Sequence, residues 1–176
     1  LLFKKFEEYS IGYFFYIGGN DSMDTVSKLS RYAAISGSEI CFIGIPKTID
    51  NDLVLTDHTP GFGSAAKYVA SMVREVAIDA SVYDNKKSVT IVEIMGRHAG
   101  WLTAASALAR KYDGDNPRLI YLPETAFDQE AFLKKVQEML ETTPNLVVCI
   151  SEGIHDKNGT FVCELAGDIG TDTFGH

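Results

Sequence analysis

Cysteine is scarce, long apolar runs are missing and no block of basic residues occurs; each shortage removes a class of protein. The three cysteines, Cys41, Cys149 and Cys163, form an odd set without metal-ligand spacing. They give neither a disulfide framework nor a zinc site. Cys41 and Cys149 lie in apolar runs and are expected as buried thiols of a reducing compartment. Acids outnumber bases 24 to 16, for a net charge of -8. Nothing here neutralises a phosphate backbone, so a general nucleic-acid binder is excluded. A small phosphorylated substrate needs only a few local cations and stays open. The apolar runs are too short for a bilayer, and no signal-peptide pattern opens the chain. The expectation is a cytoplasmic, soluble protein with neither a membrane nor a nucleic acid as partner.

What is present suits a folded core. The 176 residues are 45% hydrophobic, enough for one sizeable core or two small ones. Five short runs rich in β-branched and aromatic residues read as strands buried on both faces: 11–17, 39–45, 88–94, 118–122 and 145–151. Helical patterns separate them. Ser22 is a candidate cap for a helix with Met23, Val26, Leu29 and Ala33 inward and Gly37 at its end. Val69, Val73, Val76 and Ala80 share a face, as do Ala105, Leu108 and Ala109 before Gly114. Asp128 can cap a last helix with Phe132, Val136 and Leu140 inward. The alternation implies an α/β fold, with parallel sheets and helices on their faces.

Residues 58–63, HTPGFG, combine Pro and two Gly before a long helix and suit a crossover between domains. Residues 1–10 read as a helix already under way, and TFGH lacks a closing element, so a piece of a longer protein is expected.

In open parallel sheets ligands bind at the carboxyl ends of strands, where the unusual loops fall; all are expected to face one cleft. Gly18-Gly19-Asn20-Asp21-Ser22 allows a tight turn, and the helix after it directs N–H groups at an anion. An ordinary strand-to-helix turn explains it equally. PKTIDNDL places Asp50 and Asp52 on one loop behind Lys47 and Thr48. Two acids so close can divide proton transfer and metal support, or form a solvated turn. In MGRHAGW, Arg97 offers a planar fork to phosphate oxygens between glycines, or pairs with a local carboxylate. His98 reads as a packing or surface residue. Glu124, in PET, suits sugar hydroxyls or a helix cap, and Glu152, in SEG, gives a weaker version of that signal.

Taken together, GGNDS, PKTIDND, MGRHAGWL, PET and FGH resemble the 6-phosphofructokinases in order and spacing. NAD kinases and diacylglycerol kinases share a related glycine turn but lack the TIDND and MGR partners. The resemblance implies a phosphofructokinase-like fold of Rossmann-like domains, with helices on both faces of parallel sheets. It also implies phosphoryl transfer to the 1-hydroxyl of fructose 6-phosphate, giving fructose 1,6-bisphosphate in glycolysis. Asp50 matches the catalytic base, and Asp52 the carboxylate supporting the base and a Mg²⁺ site. Thr48 matches a residue touching the transferring group or substrate. Met95, Gly96 and Arg97 match the sugar-phosphate loop, Glu124 the acid on sugar hydroxyls, and His176 a histidine on the 6-phosphate. Residues 1–60 would be part of the donor-binding domain and 61–176 the sugar-phosphate domain. The first donor loop would precede residue 1 and a further arginine follow His176. The chain alone would then be inactive, and the intact protein a homo-oligomer.

Departures from the family pattern bear on the donor. Asn20 stands where ATP-using enzymes carry a metal-binding acid, and Asn20 with Asp21 would be the metal ligands. Ser88 and Gly170 replace arginines, with Lys86 and Lys87 nearby. Gly18, Gly19, Asp21, Ser22 and Lys47 would bind the donor. In ATP-using relatives the positions of Asp21 and Lys47 are glycines. Asp21 would occupy the space of ATP's α-phosphate, and Lys47, across the cleft, would reach a shorter donor. Pyrophosphate is therefore the expected donor. ATP is the alternative, and a non-catalytic sugar-phosphate-binding regulatory subunit is the reading from another class.

Overall fold

The structure, a computed structural model, describes residues 1–83 and 85–165. His176 and Gly170 lie outside the described residues. By its packing the chain falls into two units. The first comprises Leu1–Ile49 and Leu53–Pro60; the second comprises Asp50–Asp52 and everything from Gly61 onward.

The first unit contains helix α1 (Leu2–Glu8), strand β1 (Tyr13–Gly18), helix α2 (Asn20–Ser36) and strand β2 (Cys41–Pro46). β1 and β2 pair in parallel, with Phe14 opposite Phe42 and Gly18 opposite Pro46. One face is covered. Phe6 of α1 packs its ring on Phe14 at 5.3 Å and on Phe42 at 5.9 Å. Gly44 lies so close to Met23 and Val26 of α2 that a Cβ would stand 2.8 Å from the Met23 sulfur. Helix α2 ends at Gly37, whose φ of 69° favours glycine and whose amide returns to the Ala33 carbonyl.

The opposite face corrects the expectation of strands buried on both sides. Tyr13, Phe15, Ile17, Ile43 and Ile45 alternate with the covered residues and are exposed. Cys41, level with Tyr13, is exposed as well rather than a buried thiol. The period of two explains it: both helices serve one set of alternate residues.

The second unit is built around β5. It contains α3 (Phe62–Ser81), β3 (Ser88–Ile94), α4 (Trp101–Ala105), β4 (Leu119–Tyr121), α5 (Gln129–Met139) and β5 (Asn145–Ser151). The sheet order is β3-β5-β4, all parallel. Leu146, Val147, Val148 and Cys149 are at most 1% exposed. Each fully buried Val or Leu contributes roughly 1.5–3 kcal/mol, so this strand anchors the unit. Leu146 and Val148 face α5, where Phe132, Val136 and Leu140 pack as their spacing predicts. The Asp128 carboxylate caps α5 by accepting the Ala131 amide at 2.9 Å. The other face of the sheet carries α3, with Val73 and Ala80 buried, and α4.

Leu108 is a second correction. It is 74% exposed, whereas Ala105, Ser106 and Ala109 are buried. After Ala105 the helix tightens into a 3₁₀ turn, Ser106–Ala109. Three residues per turn in place of 3.6 rotate Leu108 outward.

Candidate active site

In the first unit the Gly-Gly turn and the end of β2 are stitched together. Gly18 closes β1 and is buried. A Cβ there would run into the Ser22 side chain, so only glycine fits. Gly19, in extended conformation, is the N-cap of α2. The helix thus begins at Asn20, and the Met23 amide closes its first turn on the Gly19 carbonyl at 3.0 Å. Ser22 is therefore not the cap. Gly19 takes the N-cap position in its place, so the helix starts three residues earlier, and no side chain caps it. Asn20 and Asp21 are exposed in that first turn. The Lys47 amide donates to the Gly18 carbonyl at 2.9 Å, and Gly19 leaves only van der Waals room before the Lys47 carbonyl. Lys47 is thus a direct neighbour of the turn, not a residue on a distant loop. Thr48 after it is buried.

In the second unit, Asp50 and Asp52 flank Asn51, whose φ of 59° lies in the left-handed region that asparagine tolerates. Both carboxyl groups are half-buried. The Oδ1 atom of Asp52 is buried and, among the described residues, accepts no hydrogen bond.

Met95-Gly96-Arg97 leaves the end of β3 and is held by side chains from two other strand ends. The Gly96 amide donates to Glu152 Oε1 at 3.1 Å. Ser151 Oγ donates to the Gly96 carbonyl at 2.7 Å. At the far end of the loop the Gly100 amide donates to Glu124 Oε1 at 2.7 Å. Gly100 is the N-cap of α4, so the Glu124 carboxylate sits at a helix start. Met95 and Arg97 are exposed. Among the described residues Arg97 takes part in no ion pair. The His98 ring lies 6.2 Å from that of Phe161, a packing contact. The sequence undervalued Ser151 and Glu152. Their partner lies about 55 residues away along the chain, and only its position after a strand end hinted at a role.

The sequence matches the family described as Phosphofructokinase over residues 1–175. The chain belongs to the phosphofructokinase family. It is 52% identical over 176 residues to the pyrophosphate–fructose 6-phosphate 1-phosphotransferase of Xanthomonas campestris, covering 99% of this chain and 42% of that protein. The enzyme of the same name from Rhodospirillum rubrum is 49% identical over 176 residues, with 99% and 43% covered. Among solved structures, the pyrophosphate-dependent phosphofructokinase from Marinobacter aquaeolei matches with a TM-score of 0.69 and 45% identity, over 89% of this chain and 40% of that one. The chain therefore spans about two fifths of the length of these phosphofructokinase relatives.

A Mg²⁺ ion of a phosphofructokinase would find an oxygen-only donor set here. In the first unit Asn20 and Asp21 are exposed in the first turn of α2 and offer such oxygens; in the second, the buried Oδ1 of Asp52 accepts no hydrogen bond among the described residues. Among the described residues no three His, Cys, Asp or Glu side chains cluster into a cage.

Proposed function

We propose that this chain carries the central part of a pyrophosphate-dependent 6-phosphofructokinase, transferring a phosphoryl group to the 1-hydroxyl of fructose 6-phosphate. Residues 1–60 contribute to the donor-binding domain, and the part from residue 61 onward binds the sugar phosphate. Asn20 and Asp21, with Asp52 in support, would hold Mg²⁺, which when bound would supply charge to balance the donor's phosphates.

Asp50 takes the proton as the 1-oxygen of the sugar attacks phosphorus. The P–O bond to the leaving phosphate breaks, and orthophosphate departs. Arg97, exposed and without an ion pair among the described residues, balances the charge spread over the transferring oxygens. Thr48 touches the transferring group, Met95 and Gly96 line the sugar-phosphate loop, and His176 grips the 6-phosphate. Glu124 is proposed for the sugar hydroxyls through the carboxylate oxygen that Gly100 does not use. Gly18, Gly19 and Ser22 form the donor turn. The working protein is a cytoplasmic homo-oligomer.

One observation carries the choice of donor: Asp21 stands in the uncapped first turn of α2 while Lys47 is fixed beside the same turn. The acid excludes a donor that continues along the backbone, and the lysine serves one that stops short. Two like charges about 4 Å apart near a surface repel by up to about 4 kcal/mol, roughly a thousandfold in affinity. Pyrophosphate is also the donor named for the similar enzymes of Xanthomonas campestris and Rhodospirillum rubrum. The test is turnover of a full-length polypeptide carrying this segment, with pyrophosphate or ATP, Mg²⁺ and fructose 6-phosphate.

A further inference from the structure

We infer that Ser151 is a positioning residue, fixing the backbone on both sides of Arg97 while the guanidinium stays exposed. The inference rests on the role proposed above for Arg97.

The β3–β5 ladder runs to the pair Ile94 and Ser151. One further backbone bond, from the Glu152 amide to the Ile94 carbonyl at 2.9 Å, follows it. There the regular ladder ends, and side chains of β5 take over the grip on the loop. Ser151 is fully buried. Its Oγ accepts the Gly153 amide at 3.0 Å and lies 2.7 Å from the Gly96 carbonyl oxygen. Because Gly153 supplies the hydrogen of one bond, the hydroxyl's own hydrogen must go to Gly96, and the rotor has a single orientation.

The accepting carbonyl belongs to the peptide joining Gly96 to Arg97. Holding that plane holds the Arg97 Cα. Gly96 itself has φ 121°, a conformation open mainly to glycine, so the loop depends on outside contacts to keep this peptide orientation. The peptide after Arg97 is buttressed too: a Cβ on Gly153 would run into the Arg97 carbonyl. Ser151 thus ties together the two backbone segments that confine Arg97, one through each of its hydrogen bonds. The Arg97 side chain stays exposed. A fixed backbone beneath an exposed fork is what stabilising a short-lived arrangement of phosphate oxygens requires.

Ser151→Ala removes both bonds. Ser151→Cys keeps nearly the same volume with a far weaker donor, and it carries the test if the alanine variant fails to fold. Each is made in the full-length polypeptide, alone and combined with Arg97→Ala, and turnover is measured with pyrophosphate and fructose 6-phosphate. Displacement of a positioned group costs on the order of 10- to 100-fold in kcat, and that loss is expected here with little change in the Michaelis constant for the donor. In the Arg97→Ala background the same substitution is expected to cost almost nothing more, because there is no guanidinium left to place. Full additivity of the two losses, or near-normal kcat in a folded Ser151 variant, would overturn the inference. An Arg97→Ala protein with normal turnover would instead remove the reading beneath it, and the inference with it.

Discussion

The Lys47 amide donates to the Gly18 carbonyl at 2.9 Å, which brings the end of β2 against the glycine turn that ends β1. Lys47 and Asp21, two charged residues where a long donor would need space, are therefore properties of one small structure. Replacing both with glycine, Asp21→Gly with Lys47→Gly, is expected to abolish most pyrophosphate-driven turnover and to allow weak use of ATP. Steady-state rates with each donor check this. A double variant that keeps its pyrophosphate rate would detach these residues from donor choice.

Asp50→Ser should reduce turnover by about 10²–10⁴-fold, the usual cost of losing a general base, with sugar-phosphate affinity largely kept. Rates and equilibrium binding of fructose 6-phosphate on the same preparation separate the two effects. Near-normal turnover would sink the assignment.

Arg97→Ala should lower both turnover and sugar-phosphate affinity, since charge on the transferring group goes unbalanced. His176→Ala should act mainly on affinity. A change confined to the donor's Michaelis constant in the arginine variant would mean that the loop serves the other substrate.

Gly153→Ala forces a Cβ against the backbone carbonyl of Arg97, which cannot swing aside as a side-chain end could. Overpacking of this kind typically costs about 1–3 kcal/mol. The variant should melt earlier and turn over more slowly. An unchanged melting temperature would show that the two strand ends are not in contact.

Asp156 gives the fold a pH dependence. Its carboxylate accepts the Thr160 amide at 2.9 Å and the Asn158 amide at 2.8 Å. The Thr160 bond above all, with those from Asn158, holds the group below its ordinary value of 3.8. A depressed folded value means that the stabilisation is complete above the ordinary value and fades as pH falls through the lower one. Asp156→Ala should therefore lower the melting temperature at neutral pH, and by progressively less as the pH falls below the ordinary carboxylate value. An equal difference across that range would contradict the linkage.

Much of this was legible from residue order. The run at 145–151 announced a buried strand because it is apolar at both parities, and the structure buries it on two faces. The spacing of Phe132, Val136 and Leu140 behind Asp128 fixed the last helix and its cap. Leu108 misled because a change from α to 3₁₀ geometry leaves no mark on a four-residue apolar pattern. The runs at β1 and β2 looked just as buried, but apolarity does not say whether a second layer is there to cover them. The Gly-Gly turn and the MGR loop stood out from their glycines, whereas the bonds from Ser151 and Glu152 depend on which strands become neighbours, and no local pattern carries that.

The donor comparison tests the central claim most directly. A full-length polypeptide carrying residues 1–176 would be assayed with Mg²⁺ and fructose 6-phosphate, with pyrophosphate in one arm and ATP in the other. Fructose 1,6-bisphosphate should form with pyrophosphate and not with ATP; formation with ATP in preference to pyrophosphate would contradict the account.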